Sequence, residues 1–416
     1  MINTSLIIGE AGTAKSTTIL KTIETLDDFV CLAYTHSAVN NLRSKSTKDK
    51  DRFKTIHSFL HIKVDENGNE TIMLNRPINV PEYIFIDEIS LVPINLLHTA
   101  YTLISNNISN FENQQVNIIL VGDLLQLNPV SNTRFLIDYH TLFDVPNIKL
   151  GFQEAMLIGD HLSNNIFSTE YYKKSNRLIL TKNYRSNDTV LKVLNSVLED
   201  VNTIKDNMIE KESINSYIRK GYVILSSTYK NLEYVKQTYD YINLYQNKEE
   251  VLKNYGVTVR EERIVNELYE INTLIGKIKF SDGDFLLLSK TLSREFLNGD
   301  IVKLYKNNSY YEIVSLGLDE PKKLLLDKSS TYPLLPLNYI TIHKSQGLSL
   351  NKVLVILDDL FEITMLYTAI TRAKKSVKFT CLNKLPIEKL KLYTNAFNKL
   401  KSIIYPECAS ESSYIE

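Results

Sequence analysis

The sequence predicts an α/β protein built on two parallel, doubly wound sheets. Three observations carry this. Apolar runs of strand length recur along the chain. A helical stretch from Ser16 to about Leu26 separates the first two runs. Polar groups stand just past the C-terminal ends of several runs, where open α/β sheets gather ligands. The first sheet is expected from SLIIG at Ser5, FVCLAY at Phe29, YIFID at Tyr83 and NIILVGD at Asn117. The alternation returns with RLILT at Arg177, YVILSS at Tyr222 and KVLVILD at Lys352, which predicts the second. Two stretches depart from the pattern. Residues 58–82 hold HIKVDENGNETIML, a short hairpin turning at Asn67-Gly68. Residues 244–336 begin charged and helical, then run as short strands around DFLLLSK, DIVKLY and YYEIVSL, a small β domain inserted in the second unit. The last fifteen or so residues are polar and expected to fray.

Composition bounds the function classes. With 416 residues, 44% hydrophobic and 23% charged, the chain has material for more than one buried core. No apolar run approaches the roughly 18 residues of a membrane span, and MINTSLIIGEAG lacks a cationic leader, so no membrane partner is expected. Lys and Arg total 48, as do Asp and Glu, which argues against a uniformly basic coat but leaves room for a basic groove. Cys31, Cys381 and Cys408 are far apart and form no C-x-x-C pair, which fits a reducing, cytoplasmic setting without structural zinc.

The segment GEAGTAKST follows a predicted strand and opens a helix. Such a turn surrounds phosphates with backbone N–H groups and a helix N-terminus. Gly9, Ala11, Gly12, Thr13, Ala14, Lys15, Ser16 and Thr17 are its candidate phosphate contacts; Lys15 would reach the β- and γ-phosphates and Ser16 would hold Mg²⁺. The strict pattern has Gly where Ala14 stands; if that position needs φ > 0, alanine costs on the order of 1 kcal/mol. The strand YIFIDEIS ends in two carboxylates. Asp87 would bind Mg²⁺ through a water and Glu88 would polarise the attacking water, although Asp87 could instead cap a helix. VGDLLQLNPV places Asp123 and Gln126 past another strand end.

These motifs, in this order from Gly9 to Lys374, resemble superfamily 1 helicases, most closely the B subgroup with RecD-like and Dda-like enzymes. GEAGTAKST is similar to motif I, CLAYTHSAVNNL to Ia, TIHSFL to Ib, FIDEISLV to II and GDLLQLNPV to III. LTKNYRSND is similar to IV, YITIHKSQGLSL to V and LYTAITRAKK to VI. The resemblance implies two RecA-like domains: 1–175 with a pin-like insert at 58–82, and 176–243 plus 337–400 with a partly SH3-like insert at 244–336, followed by a tail at 401–416. It implies ATP and Mg²⁺ between the domains and single-stranded DNA across both. Arg185 and Arg372 would reach from the second domain to the γ-phosphate, with Gln126 sensing that phosphate and Gly347 near the nucleotide. Thr35, His36, His57, Asn128, Thr341, His343 and Ser345 would contact the strand. Short donors of this kind suit phosphate oxygens and read no sequence, while their alternative is local capping of loop backbone. Tyr34 and Tyr339 are candidates for base stacking.

The function implied is an ATP-dependent DNA helicase or translocase moving 5′ to 3′, a monomer that meets replication or recombination proteins at the nucleoid. An RNA helicase of the same superfamily and a nucleotide-gated binding module remain as alternatives. The family's upstream Gln that reads adenine has no counterpart before the first strand, so weak discrimination between ATP and GTP is expected.

Overall fold

The computed structural model describes residues 1–64, 70–73, 77–108, 115–129, 148–239, 252, 268–293, 295–296, 299–307, 309–316 and 321–406. The chain divides into two compact units. The first comprises Met1–Arg185, Glu362–Thr364 and the chain from Lys391 onward; the second comprises Ser186–Phe361 and Met365–Leu390.

The first unit is a six-stranded parallel sheet. Its strands are β1 (Ile2–Gly9), β2 (Phe29–Ala33), β3 (Phe53–Thr55), β6 (Tyr83–Asp87), β7 (Val116–Gly122) and β8 (Asn176–Leu180), in the order β3-β2-β6-β7-β1-β8. Phe29–Ala33 is buried at every position, as expected of a strand covered on both faces. Helix α1 (Lys15–Ile23) turns Ile19 and Ile23, one helical turn apart, onto the sheet; α2 (His36–Arg43) does the same with Ala38, Val39 and Leu42. Each fully buried isoleucine contributes roughly 1.5–3 kcal/mol. The short α3 (Ile56–Phe59) and the longer α4 (Ile94–Ile108) follow β3 and β6.

Between α3 and β6 lies the expected hairpin. Strands β4 (Ile62–Val64) and β5 (Glu70–Ile72) pair antiparallel with Ile62 opposite Ile72. The Asn67-Gly68 turn lies outside the described residues.

The second unit contains a four-stranded parallel sheet of β9 (Val223–Ser226), β17 (Tyr339–Thr341), β18 (Leu350–Ile356) and β19 (Ala373–Thr380), in the order β17-β9-β18-β19. Between β9 and β17 the described residues form two antiparallel sheets. One pairs β10 (Tyr269–Thr273) with β11 (Gly276–Phe280). The other orders β15-β14-β13-β12-β16, from β12 (Asp284–Leu288), β13 (Ile301–Lys306), β14 (Tyr310–Ser315), β15 (Lys323–Asp327) and β16 (Leu334–Pro336). Alternate residues of β14 are buried, so Tyr311 and Ile313 join Phe280, Leu286, Val302 and Leu304 in a separate core. The charged stretch at 253–267 lies outside the described residues.

Two sequence boundaries are corrected. Asn176–Leu180, expected to open the second domain, pairs with β1 from Ser5↔Asn176 to Gly9↔Leu180 and closes the edge of the first sheet. Its pattern is that of an edge strand, largely exposed, and nothing local says which sheet it joins. The helix Ile387–Ile404 runs past residue 400, and from Lys391 it belongs to the first unit. Leu400, Ile404 and Tyr405 are each at most 2% exposed, so the tail expected from residue 401 begins with buried structure; residues 407–416 lie outside the described ones.

Candidate functional site

The carboxyl ends of β1, β6 and β7 carry the nucleotide motifs, all within the first unit. Gly9 ends β1 so close to the Leu180 carbonyl that a Cβ there would collide with backbone. The loop then turns through left-handed conformations at Gly12, φ +86°, and Ala14, φ +65°. Ala14 therefore does need the positive φ where the motif has glycine. This residue is also the N-cap of α1 and supplies no side-chain cap, so the first amides of the helix stay directed at the loop.

Lys15 Nζ donates to the carbonyls of Gly9 and Glu10, both at 2.8 Å. Burial lowers its pKa; the carboxylates of Asp123, Glu88 and Asp87 oppose that shift, while the like charge of Arg185 adds to it. Lys15 is thus an ammonium held in a partly desolvated site ringed by three acids, suited to a polyanion. Thr13 is buried and donates its hydroxyl to Glu10 O at 2.9 Å, tightening the same loop. Ala11 is buried and Thr17 lies exposed on α1.

Ser16 Oγ donates to Asp87 Oδ2 at 2.9 Å. Asp87 is 4% exposed and its pKa is raised, first by burial and then by the charge of Glu88. An acid so placed is costly to ionise without a cation, and a hydroxyl beside a carboxylate is the oxygen donor set that Mg²⁺ takes when it also binds phosphate. Ser16 and Asp87 therefore fit that ion, which when bound would neutralise charge on the β- and γ-phosphate oxygens. Glu88 sits at φ +52°, left-handed and strained, with its side chain half-buried; strain on the order of 1–3 kcal/mol at such a residue is typical of functional positions.

After β7, Asp123 organises the third motif. Its carboxylate accepts from Leu125 N at 3.0 Å and Gln126 Nε2 at 3.1 Å. Gln126 is 3% exposed and its Oε1 has no hydrogen-bond partner among the described residues, leaving one buried acceptor on a side chain whose Nε2 is held by Asp123. Asn128 departs from the DNA-contact expectation. It is buried, and its amide is taken up by His161 O at 2.6 Å, His161 Nδ1 at 3.2 Å and Asn165 Nδ2 at 3.0 Å.

Arg185 is also corrected. It was expected to arrive from the second domain, but it is half-buried in the first unit, carried there by β8. Asn183 Nδ2 donates to Ala11 O and Tyr184 N to Gly12 O, each at 2.8 Å, so the NYR segment clasps the phosphate loop. Asn183 stands where a Cβ on Gly12 would have to go. Neither Asn183 nor Tyr184 was singled out from sequence, because the partners lie far apart in the chain.

The strand-contact candidates of the first unit come together. Tyr34 and His57 rings lie 5.7 Å apart, and His36 has a pKa lowered by burial and by His57. Thr35 Oγ1 caps α2 by accepting from Ala38 N at 3.2 Å. In the second unit, Thr341 Oγ1 accepts from Lys344 N at 3.3 Å, and Ser345 Oγ donates to Ile342 O at 2.7 Å while fully buried. Both hydroxyls therefore serve local capping. Gly347 has φ +77° with open space beside it. Tyr339 is completely buried in β17 and cannot stack on a base; Phe361, unmarked in the sequence, is 50% exposed and lies parallel to His343 at 5.8 Å. Arg372 is 1% exposed in the second unit, with Nε donating to Thr368 O at 3.2 Å.

Fold and site define a P-loop nucleoside triphosphatase with two parallel-sheet units. The family model described as an AAA domain matches residues 2–132, and the UvrD-like helicase C-terminal domain matches 337–379. The chain is 22% identical over 450 residues to the RecBCD enzyme subunit RecD of Buchnera aphidicola, covering 90% of this chain and 70% of RecD. It is 24% identical over 393 residues to the ATP-dependent DNA helicase Pif1 of Campylobacter jejuni, covering 84% and 76%. Among solved structures, Pif1 from Bacteroides in complex with ADP-AlF3 and single-stranded DNA superposes with a TM-score of 0.55 at 18% identity, over 99% of this chain and 94% of that one. Over most of its length the chain is thus similar to RecD and Pif1 sequences, and it shares the fold of the solved Pif1 structure. Among the described residues, no helix is long and apolar enough to cross a membrane.

Proposed function

We propose that the protein is an ATP-dependent DNA helicase that tracks on single-stranded DNA, moves 5′ to 3′ and uses Mg²⁺. The observation that carries this is the gathering of Lys15, the Ser16–Asp87 pair, Glu88 and the Asp123–Gln126 turn at adjacent strand ends of one unit. A phosphate clamp, a cation site, a base and a γ-phosphate sensor are the parts hydrolysis requires.

In this reading Lys15 exchanges its loop carbonyls for phosphate oxygens, and Glu88 accepts the proton of the attacking water. Gln126 offers its buried acceptor to the groups around the γ-phosphate. Arg185 and Arg372 stabilise the charge of the transition state, a contribution worth roughly 10³ to 10⁵ in rate for an arginine finger. The protein acts as a monomer at sites of replication or repair. Tyr34, His36 and His57 in the first unit, and His343 with Phe361 in the second, line the strand's path. The hairpin within 58–82 serves as the separation pin.

ATP turnover with and without single-stranded DNA, and unwinding of duplexes bearing only a 5′ or only a 3′ tail, test the proposal. DNA-stimulated turnover with unwinding from the 5′ tail is expected. Stimulation and unwinding by RNA alone would favour the RNA alternative. ATP binding without turnover would leave a nucleotide-gated binding module.

A further inference from the structure

A buried polar triad backs the third motif. Asn128 and His161 are each 6% exposed and Asn165 is 2% exposed. His161 sits near the end of helix Phe152–Ser163, and Asn165 follows that helix. His161 Nε2 donates to Leu124 O at 3.0 Å, which makes Nδ1 the acceptor; Asn128 Nδ2 supplies that bond at 3.2 Å and a second to His161 O at 2.6 Å. Asn165 Nδ2 donates to Asn128 Oδ1 at 3.0 Å and to Leu124 O at 3.2 Å, and its own Oδ1 accepts from Phe167 N at 3.1 Å. Every side chain of the triad is engaged at both ends. Together they hold the first and last residues of the turn Leu124–Asn128, with Gln126 at its centre.

A buried network of this size earns its place by fixing geometry, since a hydrophobic filling would be cheaper to desolvate. The geometry it fixes is that of Gln126. The turn is tied from inside by Asp123 and from outside by the triad, and the Oε1 of the amide at its centre has no hydrogen-bond partner among the described residues. Burial lowers the pKa of His161, which keeps the ring neutral and Nδ1 an acceptor for Asn128.

We propose that Asn128, His161 and Asn165 form a latch that holds Gln126 in its working position, so that His161, touching neither nucleotide nor DNA, is a positioning residue for ATP turnover. This rests on the assignment of the protein as an ATP hydrolase.

The test is steady-state ATP turnover, with single-stranded DNA present, for the wild type, His161→Phe, His161→Gln, Gln126→Ala and the double variant Gln126→Ala/His161→Phe, with the Tm of each. His161→Phe is expected to lower kcat on the order of 10- to 100-fold, the scale of a 1 Å misplacement, with KM for ATP little changed. His161→Gln, which can donate to Leu124 O and accept from Asn128, recovers most of the loss. In the Gln126→Ala background, His161→Phe causes no further drop, because the residue it positions is gone. Should the phenylalanine variant fail to fold, Asn128→Ser is read in its place with the same expectations. Wild-type kcat in the latch variants, or an equal further drop without Gln126, would overturn the latch while leaving the hydrolase intact. If the wild type itself does not hydrolyse ATP, the enzymatic assignment fails and the latch falls with it.

Discussion

Ser16 Oγ and Asp87 Oδ2 meet at 2.9 Å across 71 residues of sequence, joining the start of α1 to the end of β6. Both residues are recognisable alone, but only the adjacency of β1, β7 and β6 in the sheet makes them one site. The substitutions that follow separate the roles gathered around that pair.

Lys15→Ala and Glu88→Gln are both expected to abolish ATP turnover, but only the first should lose nucleotide affinity. Lys15 is the buried cation of the phosphate loop, whereas Glu88 acts on water. Equilibrium binding of a fluorescent ATP analogue beside steady-state hydrolysis distinguishes them. Near wild-type hydrolysis by Glu88→Gln would remove it as the base.

Ala14→Gly is expected to stabilise the protein. At φ +65° alanine carries left-handed strain of about 1–2 kcal/mol, and glycine returns part of that gain through greater freedom in the unfolded chain, about 0.4–1 kcal/mol. A net gain of a few tenths to about 1 kcal/mol should appear as a higher denaturant midpoint. A lower midpoint would mean that the loop does not hold this conformation in solution.

Arg185→Ala and Arg372→Ala should both lower kcat far more than they weaken DNA binding at low salt, yet differ in stability. Arg372 is 1% exposed and donates to Thr368 O, Leu348 O and Thr371 Oγ1, so its removal deletes several buried hydrogen bonds at a cost of about 1–3 kcal/mol. Arg185 is half-buried and should be close to neutral for folding. Thermal melts beside kinetics read both; equal destabilisation would place Arg185 in a structural role.

His161 gives stability a specific dependence on pH. Its pKa is lowered from 6.5, mainly by burial; the bond to Leu124 O and the carboxylates of Glu362 and Asp123 partly offset this. The unfolded chain therefore takes up a proton near pH 6.5 that the folded protein still refuses. The contribution is present in full above that pH and is lost as pH falls toward the lower folded value. Tm measured from pH 8 to 5 should fall more steeply for the wild type than for His161→Gln; parallel curves would show that the ring titrates normally.

Ile72→Glu, on the hairpin, should slow unwinding while sparing DNA-stimulated hydrolysis. Ile72 is 37% exposed, whereas its pair Ile62 is 7% exposed and is taken up in packing. Phe361→Ala should weaken single-stranded DNA binding, since a lost stacking face costs about 1–3 kcal/mol per base. Gel-shift titration and a helicase assay on the same preparations decide both; unwinding at the wild-type rate by Ile72→Glu would move the pin elsewhere.

The nucleotide motifs were legible because their chemistry is local. GEAGTAKST needs a strand before it and a helix after it, and both are evident from periodicity; even the strain at Ala14 follows from one missing glycine. Asn128 misled for the converse reason. Its place among the strand contacts came from the resemblance of GDLLQLNPV to a helicase motif, and its real partners, His161 and Asn165, lie on a later helix and beyond it. Tyr339 and Phe361 show the same limit, since spacing does not say which aromatic ring a sheet will cover. Strand β8 was recognisable as a strand, but its pairing with β1 depends on sheet order that no single segment encodes.

The return of the final helix to the first unit has a consequence for biosynthesis. Lys399 pairs with Glu154 and Lys401 with Glu10 of the phosphate loop, each at 2.6 Å, while Tyr405 is 2% exposed. A ribosome delivers residues 1–185 long before it delivers these partners. The nascent first unit must therefore wait, with an apolar surface uncovered, through synthesis of the whole second unit. That surface is covered only once residues 391–405 emerge, so the unit that carries the nucleotide site is completed after the second unit has been made.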